Sequence, residues 1–234
     1  MPDPTSPSPG SPDLGYVFVM TYGRSGSTLL QGVLNAIPGY LVRGENRWAL
    51  GHLQRYHQVL AKERRSQRRQ QRKRGDDEGS STAEHPFYGL DGFPVKASLE
   101  GIRELALATL LRPGPDTRVT GFKEIRWGRH EDLEDHLTWL CRVFPGARFV
   151  VNTRDLKAVG RSKWWADTPD AAEQLATEEA RILAAANGLG DAAFRVRYDE
   201  WGAAPGALRP LFDWLGEEFD EARVRAVLDV RHSY

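Results

Sequence analysis

Cysteine is nearly absent from this chain. Of 234 residues only Cys141 carries a thiol, which excludes an intramolecular disulfide framework and any zinc cluster built on cysteines. Histidine is sparse too, and His52, His57 and His130 read as surface residues with no partner set for zinc, so no metal is expected. Net charge is missing: 32 basic side chains balance 32 acidic ones, which excludes polyanion binding by bulk electrostatics. No stretch approaches the roughly 20 apolar residues of a membrane-spanning helix. The opening "MPDPTSPSPGSPD" has neither the basic n-region nor the apolar h-region of a secretory signal. These absences leave a soluble, cytoplasmic protein as the expectation.

What is present is ordinary for a globular chain, 40% hydrophobic and 27% charged, and the length suits one large α/β domain. Residues 1–13, rich in Pro, Ser, Gly and Asp, read as a disordered tail, with 14–234 as a single domain. The continuous apolar run Gly15–Met20 predicts a strand buried on both faces, and 27–36 a helix stopped before "PG". A short strand within "YLVRGENRW" leads to a helix near 45–61, and a further helix covers 98–111. "RVTGFKE" at 118–124 and "ARFVVNTRD" at 147–155 read as strands, with a helix at 131–143 between them. Helices at 155–165 and 170–187, a late strand in "AAFRVRYDE", and two last helices near 205–215 and 219–229 complete the order. Alternating β and α units predict a P-loop-like, three-layer α/β/α fold on a central parallel sheet.

One segment departs from this pattern. Residues 62–84, "KERRSQRRQQRKRGDDEGSSTAE", open with a dense basic run and hold almost nothing apolar. They read as a solvated helix end passing into a mobile insertion, with an acidic-partner patch as the sharper alternative. No aromatics are interleaved for stacking, so nucleic acid is not expected.

The chemistry concentrates in "VFVMTYGRSGSTLL", residues 17–30. A strand, a small polar turn and a helix in that order present backbone N–H groups and a positive helix end to an oxyanion. Ser25, Gly26, Ser27 and Thr28 are small enough for close approach, and the hydroxyls can donate. The turn is not a Walker A loop. Ser27 stands where its Lys would be, and the cation, Arg24, comes three positions early. A triphosphate with magnesium would lose its main counter-charge, whereas a smaller phosphate-linked donor would not.

"TYGRSGSTLL" resembles the 5′-phosphosulfate loop of the sulfotransferases, with Arg24 at the family's catalytic Lys position. A second motif, in "FVVNTRDLKAVGRSKWW", is similar to the family's 3′-phosphate site: Arg154 at a strand end and Ser162 eight residues on, on the next helix. "VRYDEWGAAPGALRPLFDWLGEEFD" resembles a third family segment, in which Tyr198 would contact adenine. The resemblance implies 3′-phosphoadenosine 5′-phosphosulfate (PAPS) as co-substrate, adenosine 3′,5′-bisphosphate as product, and a small-molecule or carbohydrate acceptor.

Two family features are missing. Lys123 matches the Lys of the small-molecule branch, but Ile125 stands where its basic His would be, and the C-terminal R-K-G loop is absent. The chain is therefore more similar to the bacterial and carbohydrate-type branch, in which a Glu after the second strand serves as base. Glu45 fits that place, with Glu124 as the alternative. Arg24 would face the leaving oxygen and Lys123 the sulfuryl oxygens. Trp48, Trp164 and Trp165 follow these segments as core residues or as pocket walls. Two rival readings are a degenerate P-loop kinase or nucleotide hydrolase and a non-catalytic adaptor using the basic run. Monomer and homodimer are both compatible with the sequence.

Overall fold

The computed structural model describes residues 14–74 and 82–229, with the backbone alone for Arg74, Lys163 and Trp164. The expected tail and residues 75–81 of the basic segment lie outside the described residues. Five strands, β1 (Gly15–Met20), β2 (Tyr40–Arg43), β3 (Val119–Glu124), β4 (Arg148–Thr153) and β5 (Ala193–Arg197), form one sheet in the order β2-β3-β1-β4-β5. Every pairing is parallel. All carboxyl ends therefore open on one edge, and β1 lies at the centre, where the connections diverge to either side.

Alternation along β1 builds two cores. Tyr16, Phe18 and Met20 face one layer together with Phe122 and Phe149, beneath α3 (Val95–Ala106), α4 (Leu133–Val143) and α7 (Ala171–Asn187). Val17 and Val19 face the other, with Leu30, Val33 and Leu34 of α1 (Ser27–Asn35) and Leu211 and Phe212 of α9 (Arg209–Leu215). Phe18, Val19 and Met20 have no exposed surface, and each such side chain contributes about 1.5–3 kcal/mol on burial. The expected three-layer α/β/α architecture is the observed one.

Helix α2 runs from Ala49 to Arg74, so the helix expected near 45–61 continues through the basic run to residue 74 as the helix end read there. The basic half lacks an apolar stripe, but its inner side is covered: Gln67 is buried, and Arg68 and Gln71 bond Asp91 of the following segment. Helix α3 gives way to a wider π-turn over Leu107–Leu111, closed by Arg112 at φ 48°. The expected helix over 155–165 is broken into α5 (Leu156–Gly160) and α6 (Lys163–Ala166). The chain then continues through α8 (Tyr198–Trp201), α9 and α10 (Glu221–Leu228). No helix among the described residues is long and apolar enough to cross a membrane.

Candidate active site

The loop after β1 is held from below by polar atoms of β4. Thr21 Oγ1 donates to the Asn152 carbonyl at 2.7 Å and lies 2.6 Å from Ser25 Oγ. Asn152 Nδ2 donates to the Ser25 carbonyl at 2.9 Å, and Trp201 Nε1 donates to Asn152 Oδ1 at 3.2 Å. Thr21, Ser25 and Asn152 are fully buried, so these bonds replace water that the groups have lost. Ser25 thus spends its hydroxyl inside the loop and has only its backbone N–H to offer an anion. Trp165 Nε1 reaches the Gly23 carbonyl at 3.4 Å and closes the loop from the other side.

Two positions of this loop are left-handed. Arg24 has φ 67° and sits exposed on the crest, a conformation that costs a non-glycine residue of order 1–3 kcal/mol and is often found at functional sites. Gly26 has φ 81° and forms the N-cap of α1. A Cβ there would lie 2.1 Å from the Tyr198 ring, so glycine is required for both dihedral and space. Ser27 and Thr28 follow in the first turn of α1, where N–H groups have no intrahelical acceptor.

Arg154, at the end of β4, meets this loop directly. Its Nη1 donates to the Arg24 carbonyl at 3.1 Å, and its guanidinium lies 4.6 Å from the Tyr198 ring centroid. Its Nε is buried and has no partner among the described residues. Ser162 Oγ is in the same condition. Ser162 stands at the break before α6 in an extended conformation, not on a continuous helix as expected, and its side chain makes no cap bond. Tyr22 completes the joint: its hydroxyl accepts from Arg154 N at 2.9 Å and donates to Glu179 Oε2 at 2.5 Å. Burial, aided by that carboxylate, holds the Tyr22 phenol far above its ordinary range. Tyr198 packs edge-on against Trp201, ring centroids 5.0 Å apart.

The second half of the site lies across β1, at the ends of β2 and β3. Lys123 is buried, and its Nζ bonds Glu45 Oε1 at 2.7 Å. Arg126 Nη1 approaches Glu45 Oε2 at 3.5 Å and Glu124 Oε1 at 2.8 Å. Glu124 is fully buried and saturated. Its Oε2 accepts from the backbone N–H of Asn46 and Trp48, and its Oε1 from those of Ile125 and Arg126. With no open lone pair and no exposed surface, Glu124 fastens the loop that carries Glu45 and has no access to an incoming hydroxyl. Arg47 and Trp48, at φ 55° and 65°, are strained within that fastened loop.

The other aromatic and histidine candidates belong to the packing. His57 is buried, not superficial, and bonds Ser98 Oγ at 3.1 Å; burial also lowers its pKa. His130 is half-buried and stacks on Trp48, ring centroids 3.7 Å apart, while His52 is exposed. Trp48 also contacts His136 and Trp127, which makes it a core residue. Asn152, Tyr22 and Arg126 escaped the sequence reading. A polar Asn inside the apolar run "FVVNT" was the one signal available for Asn152.

The parallel sheet, a glycine-capped helix after β1 and an Arg at the end of β4 bonded to the β1 loop define an α/β protein with two joined polar loops at one sheet edge. The chain belongs to the sulfotransferase family, whose model (Sulfotransferase family) matches residues 17–221. Among solved structures, it is similar to the sulfotransferase domain of the Synechococcus PCC 7002 olefin synthase. The TM-score is 0.56 at 19% identity, covering 93% of this chain and 78% of that one. Sulfotransferase STF9 from Mycobacterium avium gives a TM-score of 0.50 at 17% identity, covering 93% and 68%. These likenesses are to the fold. No curated protein sequence matches the chain.

Proposed function

We propose that the protein transfers a sulfuryl group from PAPS to a hydroxyl, or less readily an amine, of a small-molecule or carbohydrate acceptor, in line and without metal. One observation carries the reading. Arg154 and Ser162, the pair matched to a 3′-phosphate site, each bury a polar atom that has no partner among the described residues, and Arg154 is bonded to the crest of the first loop. Buried donors are left unpaired in native proteins only rarely, and a phosphate group would satisfy both.

PAPS supplies the activated sulfuryl group; the chain supplies binding, orientation and charge. The hydroxyls of Ser27 and Thr28, the N–H groups of the first α1 turn and the Ser25 backbone bind the 5′-phosphate. Arg154 and Ser162 bind the 3′-phosphate, and Tyr198 offers a ring to the adenine. Arg24 stabilises the negative charge that grows on the leaving oxygen, and Lys123 stabilises the sulfuryl oxygens. Glu45 accepts the proton of the acceptor hydroxyl. Among the two carboxylates considered, Glu45 is supported by the geometry, because its side chain is 34% exposed while that of Glu124 is 1% exposed.

Isothermal titration with adenosine 3′,5′-bisphosphate tests the reading. One site is expected, weakened about 10–100-fold in Arg154→Ala through loss of charge-assisted bonds. Absence of binding at sub-millimolar nucleotide, or equal affinity in the variant, would count against it.

A further inference from the structure

Tyr22 and Glu179 have no role in the proposed transfer, yet they converge on Arg154. Tyr22 belongs to the loop after β1 and is fully buried. A phenylalanine would fill the same space, so the buried hydroxyl needs a reason of its own. Its contacts go to one residue and one carboxylate. It accepts from Arg154 N at 2.9 Å, stands 2.9 Å from the Arg154 carbonyl oxygen and donates to Glu179 Oε2 at 2.5 Å. Glu179 is half-buried on α7 and enters no ion pair among the described residues. Yet it lines a cavity of about 510 Å³ together with Arg154, Lys157, Arg195 and Arg197. With four cations around the same cavity, the carboxylate is directed at the phenol.

These bonds hold the root of Arg154. Its tip is held separately, Nη1 by the Arg24 carbonyl at 3.1 Å and the guanidinium by the Tyr198 ring. One residue on, Asp155 N donates to Asp199 Oδ2 at 2.7 Å, and Asp155 Oδ1 accepts from Ala158 N at the start of α5. Tyr22 thus fixes where the arginine leaves β4. A guanidinium fork on a phosphate depends on placement to within about 0.5 Å, and a shift at the root of the side chain is carried to the fork. The rest of the β1 loop does not depend on this hydroxyl, because Thr21 and Ser25 are bonded to Asn152 instead.

We propose that Glu179, acting through Tyr22, positions Arg154 for the 3′-phosphate, so that this pair sets the preference for a 3′-phosphorylated nucleotide over the corresponding 5′-monophosphate. The inference rests on the role given to Arg154 in the proposed function. Both are positioning residues, and neither touches the nucleotide. A role confined to fold stability would affect every ligand of the loop alike. Positioning affects the 3′-phosphate alone, because the 5′-phosphate is bound by the N–H groups of residues 25–28.

Titration calorimetry of the parent and variants, with adenosine 3′,5′-bisphosphate and with adenosine 5′-monophosphate, tests it. The parent should prefer the bisphosphate by at least about tenfold, the effect of one charge-assisted bond. Tyr22→Phe and Glu179→Ala should each weaken bisphosphate binding about tenfold and leave monophosphate binding within about twofold. Combined, they should weaken it no more than either does alone, because both break the same chain of bonds. Glu179→Gln keeps an acceptor oxygen for the phenol and should stay within about threefold of the parent. A parent with no preference overturns the reading of the site and this inference together. A parent that prefers the bisphosphate, with Tyr22→Phe keeping the full preference, overturns this inference and leaves the site reading standing. Equal losses for both nucleotides, additive losses in the double variant, or a loss in Glu179→Gln as large as in Glu179→Ala also overturn it. Should Tyr22→Phe not fold, the Glu179 variants, at a half-buried helix position, decide the same comparison.

Discussion

The two halves of the candidate site are built on opposite principles. On the β4 side, Arg154 Nε and Ser162 Oγ are buried without partners among the described residues. On the β3 side, Glu124 accepts from four backbone N–H groups and one guanidinium, and Glu45 is held by Lys123. The first half leaves buried polar atoms unpaired among the described residues. The second is complete in itself, so its groups are oriented beforehand. The difference separates affinity from rate: damage to the β4 side should be read in nucleotide binding, damage to the β3 side in turnover.

The largest effect tests that separation. Glu45→Gln should lower the rate of sulfuryl transfer by about 10²–10⁴-fold while leaving nucleotide affinity unchanged. A loss of nucleotide binding in that variant would merge the two halves and break the comparison. Glu124→Gln should act through structure instead. It leaves Arg126 beside an amide that cannot replace the carboxylate, and a cost near 3 kcal/mol is expected, measurable as a lower denaturation midpoint. A variant as stable as the parent would show that Glu124 does not fasten the Glu45 loop.

Acid titration gives a third, smaller effect. Burial, with a lesser contribution from the charge of His130, lowers the pKa of His136 to about 3, against about 6.5 in an unfolded chain. Between these values the unfolded state binds the proton and the folded state does not. The contribution to stability is therefore complete above about pH 6.5 and lost progressively as pH falls toward about 3. His136→Gln should flatten that part of the stability profile, and an unchanged slope would contradict the assignment. The smallest effect expected is at Lys96, whose pairing with Glu100 is 3.8 Å long and almost fully exposed on the lysine side. Lys96→Ala should change stability by no more than about 0.5 kcal/mol and leave both halves of the site intact.

Legibility in the sequence followed the same division. The strands β1 and β4 were readable because a central parallel strand must be apolar on both faces, and VFVM and FVV leave little alternative. The loop after β1 is readable because its left-handed Gly26, packed against the Tyr198 ring, restricts it to glycine and small neighbours. The clamp at Glu124 was not readable. A buried carboxylate that accepts backbone N–H groups from a loop some eighty positions away leaves no local pattern, and beside Lys123 it resembled an ordinary salt-bridge partner. Asn152 was hidden for a similar reason, since its work is done across strands. Helix α2 extends beyond the expected Ala61 because its inner face there is covered by polar contacts, Gln67 and Gln71 among them, which periodicity of apolar residues cannot detect. The continuous helix expected through Ser162 stops after Gly160, between α5 and α6, where a single glycine is a weak mark in the sequence.

The central claim is that the β1 loop and the end of β4 enclose one nucleotide. A crystal structure with adenosine 3′,5′-bisphosphate tests it most directly. The account predicts a single molecule with its 5′-phosphate on the N–H groups of residues 25–28 and its 3′-phosphate on Arg154 Nε and Ser162 Oγ. A nucleotide that reaches only one of these loops, or binds elsewhere while both Arg154 Nε and Ser162 Oγ stay unpaired, would contradict it.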